Sequence, residues 1–546
     1  MRICMINCAL QDEFSRLGHE ILALHPEPGL YDFPSLLEKH AFEPDVVVQQ
    51  ETLGPRVLLQ GLGKLSCLKI YWSIDTHLNS FWQEEYSRLF DLTCSTQKQW
   101  ARYLQDQGAC RTAWLPWFGR RLPWYPWSSR KHNVGFVGRV TRHRPSRERF
   151  VAFLGQCYNL RLTQDVSFQQ MLEIYQETRL APNESIFGEI NFRLFEAASC
   201  GCLVLNPAPI PGLEELFTPE REIGVFRHAL ELGSMISSSL NNLPAAEKMA
   251  KAAWVRVQEE HLPAHRAKSL LALIEENLSQ FSKKSCDSSD LDWAMTLYRL
   301  WQARRAPVSG QTLLHLLLAL PESPRKRCAL LGFWMGMDRR DMVAHDLAAI
   351  FQANLHAEDH NVNRTASLAA LHLEDLPMAK AFWLRLRARS PRLPRPPGTQ
   401  RELYLAWARD LQRQGRLARP GLSYDHQRHV PESALECLIL AHLLDSRDMD
   451  ICRAMDALLD KQPGFEPLRL SLLSHITLHR PQDWLAGLKL GLVNLQGFRL
   501  EEGLEELFLA GSRAAQQNQD RKFFNALSAA DPDRSIRTTL HPRPDF

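Results

Sequence analysis

Short apolar runs alternate with helical stretches through roughly the first half of the chain, and after that only the helical period survives. Arg2–Ile6 reads as a strand that begins at once, Gly18–Leu24 as a helix end and a second strand, and Pro44–Gln49, Leu68–Ser73 and Leu92–Ser95 as further strands. These runs are rich in Val, Ile and Leu and lack polar alternation. Strands of that kind are covered on both faces, which predicts a parallel sheet flanked by helices. Ligands of such sheets bind beyond the carboxyl ends of the strands. The pattern restarts at His132–Val137, continues through an amphipathic helix over 166–179, and gives strands at Cys202–Leu205 and Glu220–Phe226. Helices over 229–240 and 245–260 follow, and the segment 259–278 closes it. The reading is therefore two Rossmann-like α/β lobes, 1–128 and 129–282. A polar break at 283–290 follows. Helices over 313–320, 329–336, 343–354, 365–373 and 378–389 then recur in pairs, with a Pro/Arg linker at 392–398. Ala344 and Ala379 hold equivalent places about one 34-residue repeat apart. This predicts an all-α helical-repeat domain over 291–530, and a polar tail, 531–546, that frays.

The stretch Gly188–Leu205 organises the second lobe. A polar loop over 184–191 leads into a short helix carrying Arg193 and Glu196, Cys200 and Gly201 end it with glycine as the left-handed stop, and a buried strand follows. A helix start offers unpaired N–H groups and a positive dipole end to a phosphate. A carboxylate one turn further in accepts hydrogen bonds from sugar hydroxyls. Leu194, Phe195 and Ala198 fit core packing, but Asn191, Arg193 and Glu196 beside a glycine turn do not.

Other candidate chemistry lies at other strand ends. Gly138, after the His132–Val137 strand, lets backbone approach a ligand, and Arg139, Arg142, His143, Arg144 and Arg147 follow it as donors for a diphosphate. In the first lobe, Asp75 and His77 follow the Leu68–Ser73 strand. A carboxylate and an imidazole two positions apart can reach a common point and handle a proton. The alternative is that Asp75 caps the next helix and His77 is a surface residue. Trp114–Trp127 is the densest aromatic stretch, and its three prolines forbid regular structure. It reads as an apolar connector, with sugar stacking as the minor reading. No G-x-x-x-x-G-K or G-x-G-x-x-G is present, which argues against nucleotide hydrolysis and redox chemistry.

"INFRLFEAASCGCLVL", with "ELF" at Glu215–Phe217, resembles the donor-site segment of the CgeB-like (spore-maturation type) glycosyltransferases, a bacterial-type family. "VGFVGR" at Val134–Arg139 resembles the same pattern, "W-x-x-D-T-H" at Trp72–His77 falls where members place polar cleft residues, and "EEHLPAHRAKSLLALIEENL" resembles their closing segment. In that segment His261, His265 and Arg266 read as solvated helix polar groups. The resemblance spans residues 1 to about 280. It implies a two-lobed GT-B fold, and a nucleotide-sugar of UDP or GDP type as substrate with no permanently bound cofactor. It also implies no required metal. Under it Gly138, Arg139, Arg144, Asn191 and Arg193 face the donor diphosphate, Glu196 holds the ribose, and Asp75 and His77 serve catalysis on the acceptor side. One departure is the absence of a Gly-rich loop after the first strand, where Asn7-Cys8-Ala9-Leu10 stands. The helical half resembles degenerate tetratricopeptide repeats, which implies that it holds the acceptor, a protein or a glycan.

Composition changes this picture little. With 546 residues, 45% apolar and 23% charged, the chain is ordinary soluble globular protein of two to four domains. A net charge of +3 gives no reason to expect nucleic-acid or membrane-surface binding. No apolar run reaches the roughly 20 residues of a membrane span. The first residues lack a signal-peptide cleavage site. Twelve scattered cysteines without C-x-x-C fit reduced core thiols in a cytoplasmic protein. No set of four Cys and His has ligand spacing, and His426, His429, His442, His475 and His479 read as ordinary residues, so no metal is expected. The expectation is a cytoplasmic glycosyltransferase, with protein glycosylation one form of it. The alternative is a non-catalytic adaptor in which a degenerate transferase fold carries a partner-binding helical repeat.

Overall fold

The computed structural model describes residues 1–142, 144–185, 187–280, 289–389 and 395–540. His143, the polar break at 283–288, the 392–394 part of the linker and the tail beyond 540 lie outside the described residues. The chain divides into two compact units, each built on a main parallel sheet and each carrying part of the helical half.

The first unit comprises Met1–Thr96, Trp100–Trp114 and Leu273–Leu458. Its strands are β1 (Arg2–Ile6), β2 (Glu20–Leu24), β3 (Gly29–Asp32), β4 (Val46–Gln50), β5 (Val57–Gln60), β6 (Leu68–Ser73), β7 (Leu92–Ser95) and β8 (Thr112–Trp114). The main sheet runs β2-β1-β4-β6-β7-β8, all parallel, with Ile3 opposite Val46 and Val48 opposite Ile70. Val46, Val47, Val48 and Ile70 are fully buried, as strands covered on both faces require. β3 and β5 form a separate parallel pair that the pattern does not predict, because Gly29–Asp32 is too short and too exposed to read as an apolar run. The first helices after residue 288 pack into this core. Trp293, Leu297, Leu313 and Phe333 share one cluster with Tyr71, Phe81, Trp82 and Tyr86.

The second unit comprises Gln97–Gln99, Leu115–Ala272 and Leu459–Phe546. Its strands are β9 (His132–Val137), β10 (Leu160–Thr163), β11 (Thr178–Pro182), β12 (Leu203–Pro207) and β13 (Gly224–Phe226), parallel in the order β10-β9-β11-β12-β13. The amphipathic helix expected over 166–179 is Phe168–Gln176, started by a Ser167 and Gln170 capping box. Thr178–Pro182 is instead a strand, because its Leu180 belongs to the sheet core. From β9 the chain places β10 on one side and β11 on the other. The carboxyl ends of β9 and β11 therefore flank the point where strand order reverses, which is where open α/β sheets bind ligands.

C-terminal helices complete this unit. Phe498 packs edge-on against Phe150 with centroids 5.0 Å apart, and Arg149 Nε donates to the Gly497 carbonyl at 2.8 Å. The tail expected to fray is helical at Ser535–Leu540. Asp531, fully buried, accepts from the amides of Ile536 and Arg537 at 3.0 Å each, and Ile536 is buried beneath it. Among the described residues no helix is long and apolar enough to cross a membrane.

Candidate functional site

The site of the second unit is built around a buried asparagine that the sequence reading passed over. Asn183 follows β11 and is fully buried. Its amide donates to Asn206 Oδ1 at 2.6 Å and Asn191 Oδ1 at 3.0 Å, and its Oδ1 accepts from Arg193 Nη1 at 2.7 Å. Asn191 is the N-cap of the Phe192–Ser199 helix, with Oδ1 accepting from Leu194 N at 3.4 Å and Nδ2 donating to the Glu184 carbonyl at 3.0 Å. Its side chain therefore organises the helix start, while the first-turn amides have no partner within the helix. Arg193 reaches back across the strand ends. It donates to the Val137 carbonyl at 3.3 Å and lies 4.4 Å from the centroid of the buried Phe136 ring. Gly138 is glycine for this reason. A Cβ there would sit 3.0 Å from Arg193 Nη2 and 3.2 Å from the Phe136 ring.

Glu196 lies one turn into the same helix and is half-buried. Burial pushes its carboxyl above the usual range, while Arg193 and then Arg120 oppose the shift. A helix start, a guanidinium and a carboxylate that keeps part of its surface thus come together at the reversal point. Arg139 and Arg144 do not join them. Both are exposed, and Arg139 Nε donates to Asp165 Oδ1 at 2.5 Å. Arg147, one of the same run of arginines, is buried instead. Its guanidinium meets Glu184 Oε2 at 2.7 and 2.8 Å and donates to the Arg139 carbonyl at 3.2 Å. Removing one partner of such a pair typically costs about 3–5 kcal/mol. Glu184 Oε1 is buried with no hydrogen-bond partner among the described residues.

The closing segment corrects the expectation of solvated polar groups. His261 and Arg266 are buried. His261 Nε2 lies 2.8 Å from the Leu216 carbonyl, and Arg266 bonds His261 Nδ1 at 2.9 Å and the carbonyls of Pro116 and Trp117 at 2.9 and 3.0 Å. Burial pulls the imidazole down to about 4, so the ring is neutral at ordinary pH. The Trp-rich stretch lies on the same side of the unit. Trp117 packs on Phe192 at 4.5 Å, Trp124 on Trp254 at 5.9 Å, and Trp127 is buried with Nε1 donating to the Gly201 carbonyl. Gly201 has φ of +75°, the left-handed stop its position predicts.

In the first unit, Asp75 holds the N-cap position of the Thr76–Tyr86 helix without a side-chain cap bond, and His77 is buried, not a surface residue. The turn that carries them is held by Glu51, which no motif flagged. Glu51 follows β4, and β1 and β4 flank this sheet's own reversal point. Its Oε2 accepts from Ile74 N at 2.7 Å, Asp75 N at 2.9 Å and Ser73 Oγ at 3.2 Å, and its Oε1 from Asn79 Nδ2 at 2.7 Å. Burial raises this carboxyl, and the backbone bonds from Asp75 and Ile74 oppose the rise.

Burial pushes the Cys4, Cys8 and Cys94 thiols up to about 12, far from a reactive thiolate. His228, Asp531 and Asp533 offer ligand atoms within 4.8 Å of one another. However, Asp531 is taken up by the amides of Ile536 and Arg537 and by the Arg537 guanidinium at 3.4 Å, and His228 Nδ1 accepts from Glu231 N at 3.4 Å. These are helix caps.

Residues 127–272, which contain this site, match a protein-family model described as glycosyl transferase-like. No curated protein matches the chain. Among solved structures it is similar to sucrose-phosphate synthase from Thermosynechococcus elongatus, at 12% identity and a TM-score of 0.41 over 52% of this chain and 100% of that one. It is also similar to Anabaena HepE in complex with UDP-glucose, at 12% identity and 0.36 over 52% and 100%. A glycosyltransferase from Rickettsia africae follows at 11% identity and 0.39 over 52% and 99%.

Proposed function

We propose that the protein is a glycosyltransferase that takes a sugar from a nucleotide-sugar. The observation that carries this is Glu196. It is a half-buried carboxylate with a raised pKa, one turn into a helix whose start lies at the strand-order reversal, inside the segment that matches the glycosyl transferase-like model. A carboxylate gains little for folding in such a place, and its surroundings suit an acceptor of ribose hydroxyls. The first-turn amides and Arg193 supply positive potential for the diphosphate, and Gly138 lets the Arg193 guanidinium pass close to the strand end. Catalysis rests mainly on stabilising the departing diphosphate. UDP- and GDP-type donors are the candidates, with no metal required. Asp75 and His77 of the first unit are assigned to the acceptor and its proton. The helical region, read as tetratricopeptide-like, is assigned to holding a protein or glycan acceptor.

The adaptor reading has one observation in its favour: Arg193 already engages Nε with the Val137 carbonyl and Nη1 with Asn183 Oδ1. A thermal-shift panel of UDP- and GDP-sugars on wild type and Glu196→Ala separates the two. A shift with one base, lost in the variant, supports transfer and names the base. Unchanged melting with every donor supports the adaptor. Ligand at about 100 times its dissociation constant adds about 2.7 kcal/mol, ample for detection.

A further inference from the structure

The approach to the donor-side helix is gripped by a turn from the far end of the chain. Pro463 and Gly464 precede the Glu466–His479 helix and belong to the second unit. Gly464 has φ of +90°, and a Cβ there would lie 2.2 Å from Phe187 Cδ1 and 2.3 Å from Cε1. Gly188 has φ of +63°, and its Cβ would lie 3.2 Å from the Pro463 ring. Each glycine thus accommodates a ring from the other segment, and each adopts a left-handed conformation that disfavours a side chain.

The grip passes to the helix in few steps. Phe187 N donates to Glu189 Oε2 at 2.8 Å. Ile190 is fastened at both backbone atoms by Gln97, whose Oε1 accepts from Ile190 N at 2.8 Å and whose Nε2 donates to Ile190 O at 2.9 Å. Asn191 then caps the helix that carries Arg193 and Glu196. Gln97 and the Pro463–Gly464 turn therefore hold this segment on either side of Glu189.

We propose that the Pro463–Gly464 turn is a positioning element for nucleotide binding, so that the C-terminal helices set the donor-side helix start. The inference rests on the donor-site reading above. It gives the end of the helical region a task distinct from holding an acceptor, and it places Gly464 and Pro463 among the residues that govern donor affinity.

The test uses the full chain. Dissociation constants for UDP and GDP are measured calorimetrically, well below the melting temperature, for wild type, Gly464→Ala, Pro463→Ser and Gly464→Ala/Phe187→Ala. Misplacing a binding group by about 1 Å can cost up to about 100-fold, so a loss of about 10-fold is expected in Gly464→Ala and a smaller one in Pro463→Ser. The double variant, which removes the ring that the new methyl meets, recovers most of the loss. A merely structural contact lowers the melting temperature without moving affinity in the folded protein. Hydrogen exchange at the 187–193 amides needs no ligand, and Gly464→Ala is expected to raise it selectively. Should wild type bind neither nucleotide, the donor reading fails while exchange still decides whether the turn sets this segment. Wild-type affinity in Gly464→Ala, or unaltered exchange at 187–193, overturns the inference.

Discussion

Replacing Glu196 by Gln separates a binding carboxylate from a structural one, because the two predict opposite signs. The side chain is half-buried, its carboxyl is raised by burial, and Arg193 and Arg120 offset only part of that cost. A carboxyl whose folded pKa exceeds its unfolded value binds its proton more tightly in the fold. Its contribution is therefore most favourable below the unfolded value, about 4.3, and declines as pH rises through the folded value. At pH 7 the charge costs stability, so Glu196→Gln should leave the protein as stable as wild type or slightly more so, and the difference should vanish in acid. Nucleotide binding should move the other way. A hydrogen bond to a charged acceptor contributes about 1.5–3 kcal/mol, and replacing the carboxylate by a neutral amide forfeits most of it. That corresponds to a 10- to 150-fold weaker dissociation constant, roughly, at 1.4 kcal/mol per tenfold. Urea unfolding at pH 7 and pH 4 and calorimetric titration with UDP and GDP measure the two halves. A stability loss of several kcal/mol with unchanged affinity would refute the reasoning and make Glu196 a structural residue.

Further outcomes follow from the buried polar groups of the two units. His261→Ala leaves the Leu216 carbonyl and Arg266 without their buried partner and should cost about 2–3 kcal/mol in urea unfolding. Wild-type stability should itself fall as pH drops from about 6.5 towards about 4, by up to about 3 kcal/mol from this residue, because the folded imidazole resists protonation. The variant should show a shallower acid slope. Glu51→Ala strips the acceptor from the amides of Ile74 and Asp75 and should destabilise the protein by at least about 2 kcal/mol, read by thermal unfolding. Asp75→Asn and His77→Gln should abolish sugar transfer in an end-point assay while leaving UDP or GDP affinity within about twofold, since neither residue lies in the donor-site unit.

Much of the fold is legible because both sheets are parallel and their strands are buried on both faces, so β1, β4, β6, β9 and β12 announce themselves as apolar runs. The helix start at Asn191 and the stop at Gly201 are legible because caps and left-handed stops draw on few residue types. The failures have a common physical source, which is that they depend on partners distant in sequence. Thr178–Pro182 follows directly on a helical period and becomes a strand only because β9 and β12 lie beside it. Glu184 meets Arg147, 37 positions away, and Glu51 grips amides 23 and 24 positions on. Nothing local marks either carboxylate as buried. His261 reads as a solvated helix residue until Leu216, 45 positions earlier, supplies its acceptor. The tail looks polar enough to fray, yet Asp531 caps its last helix. The arginines after Gly138 show the same dependence, since nothing local says which of them packs inward, and in the fold Arg147 is buried while Arg139 and Arg144 are exposed.

In the proposed function the second unit binds a nucleoside diphosphate at the Phe192–Ser199 helix. Titrating the full chain calorimetrically with UDP and with GDP tests it most directly. Saturable binding of one equivalent of one of the two is expected, weakened in Glu196→Gln without loss of stability. Absence of binding by both, with melting unmoved by any nucleotide-sugar, would contradict it.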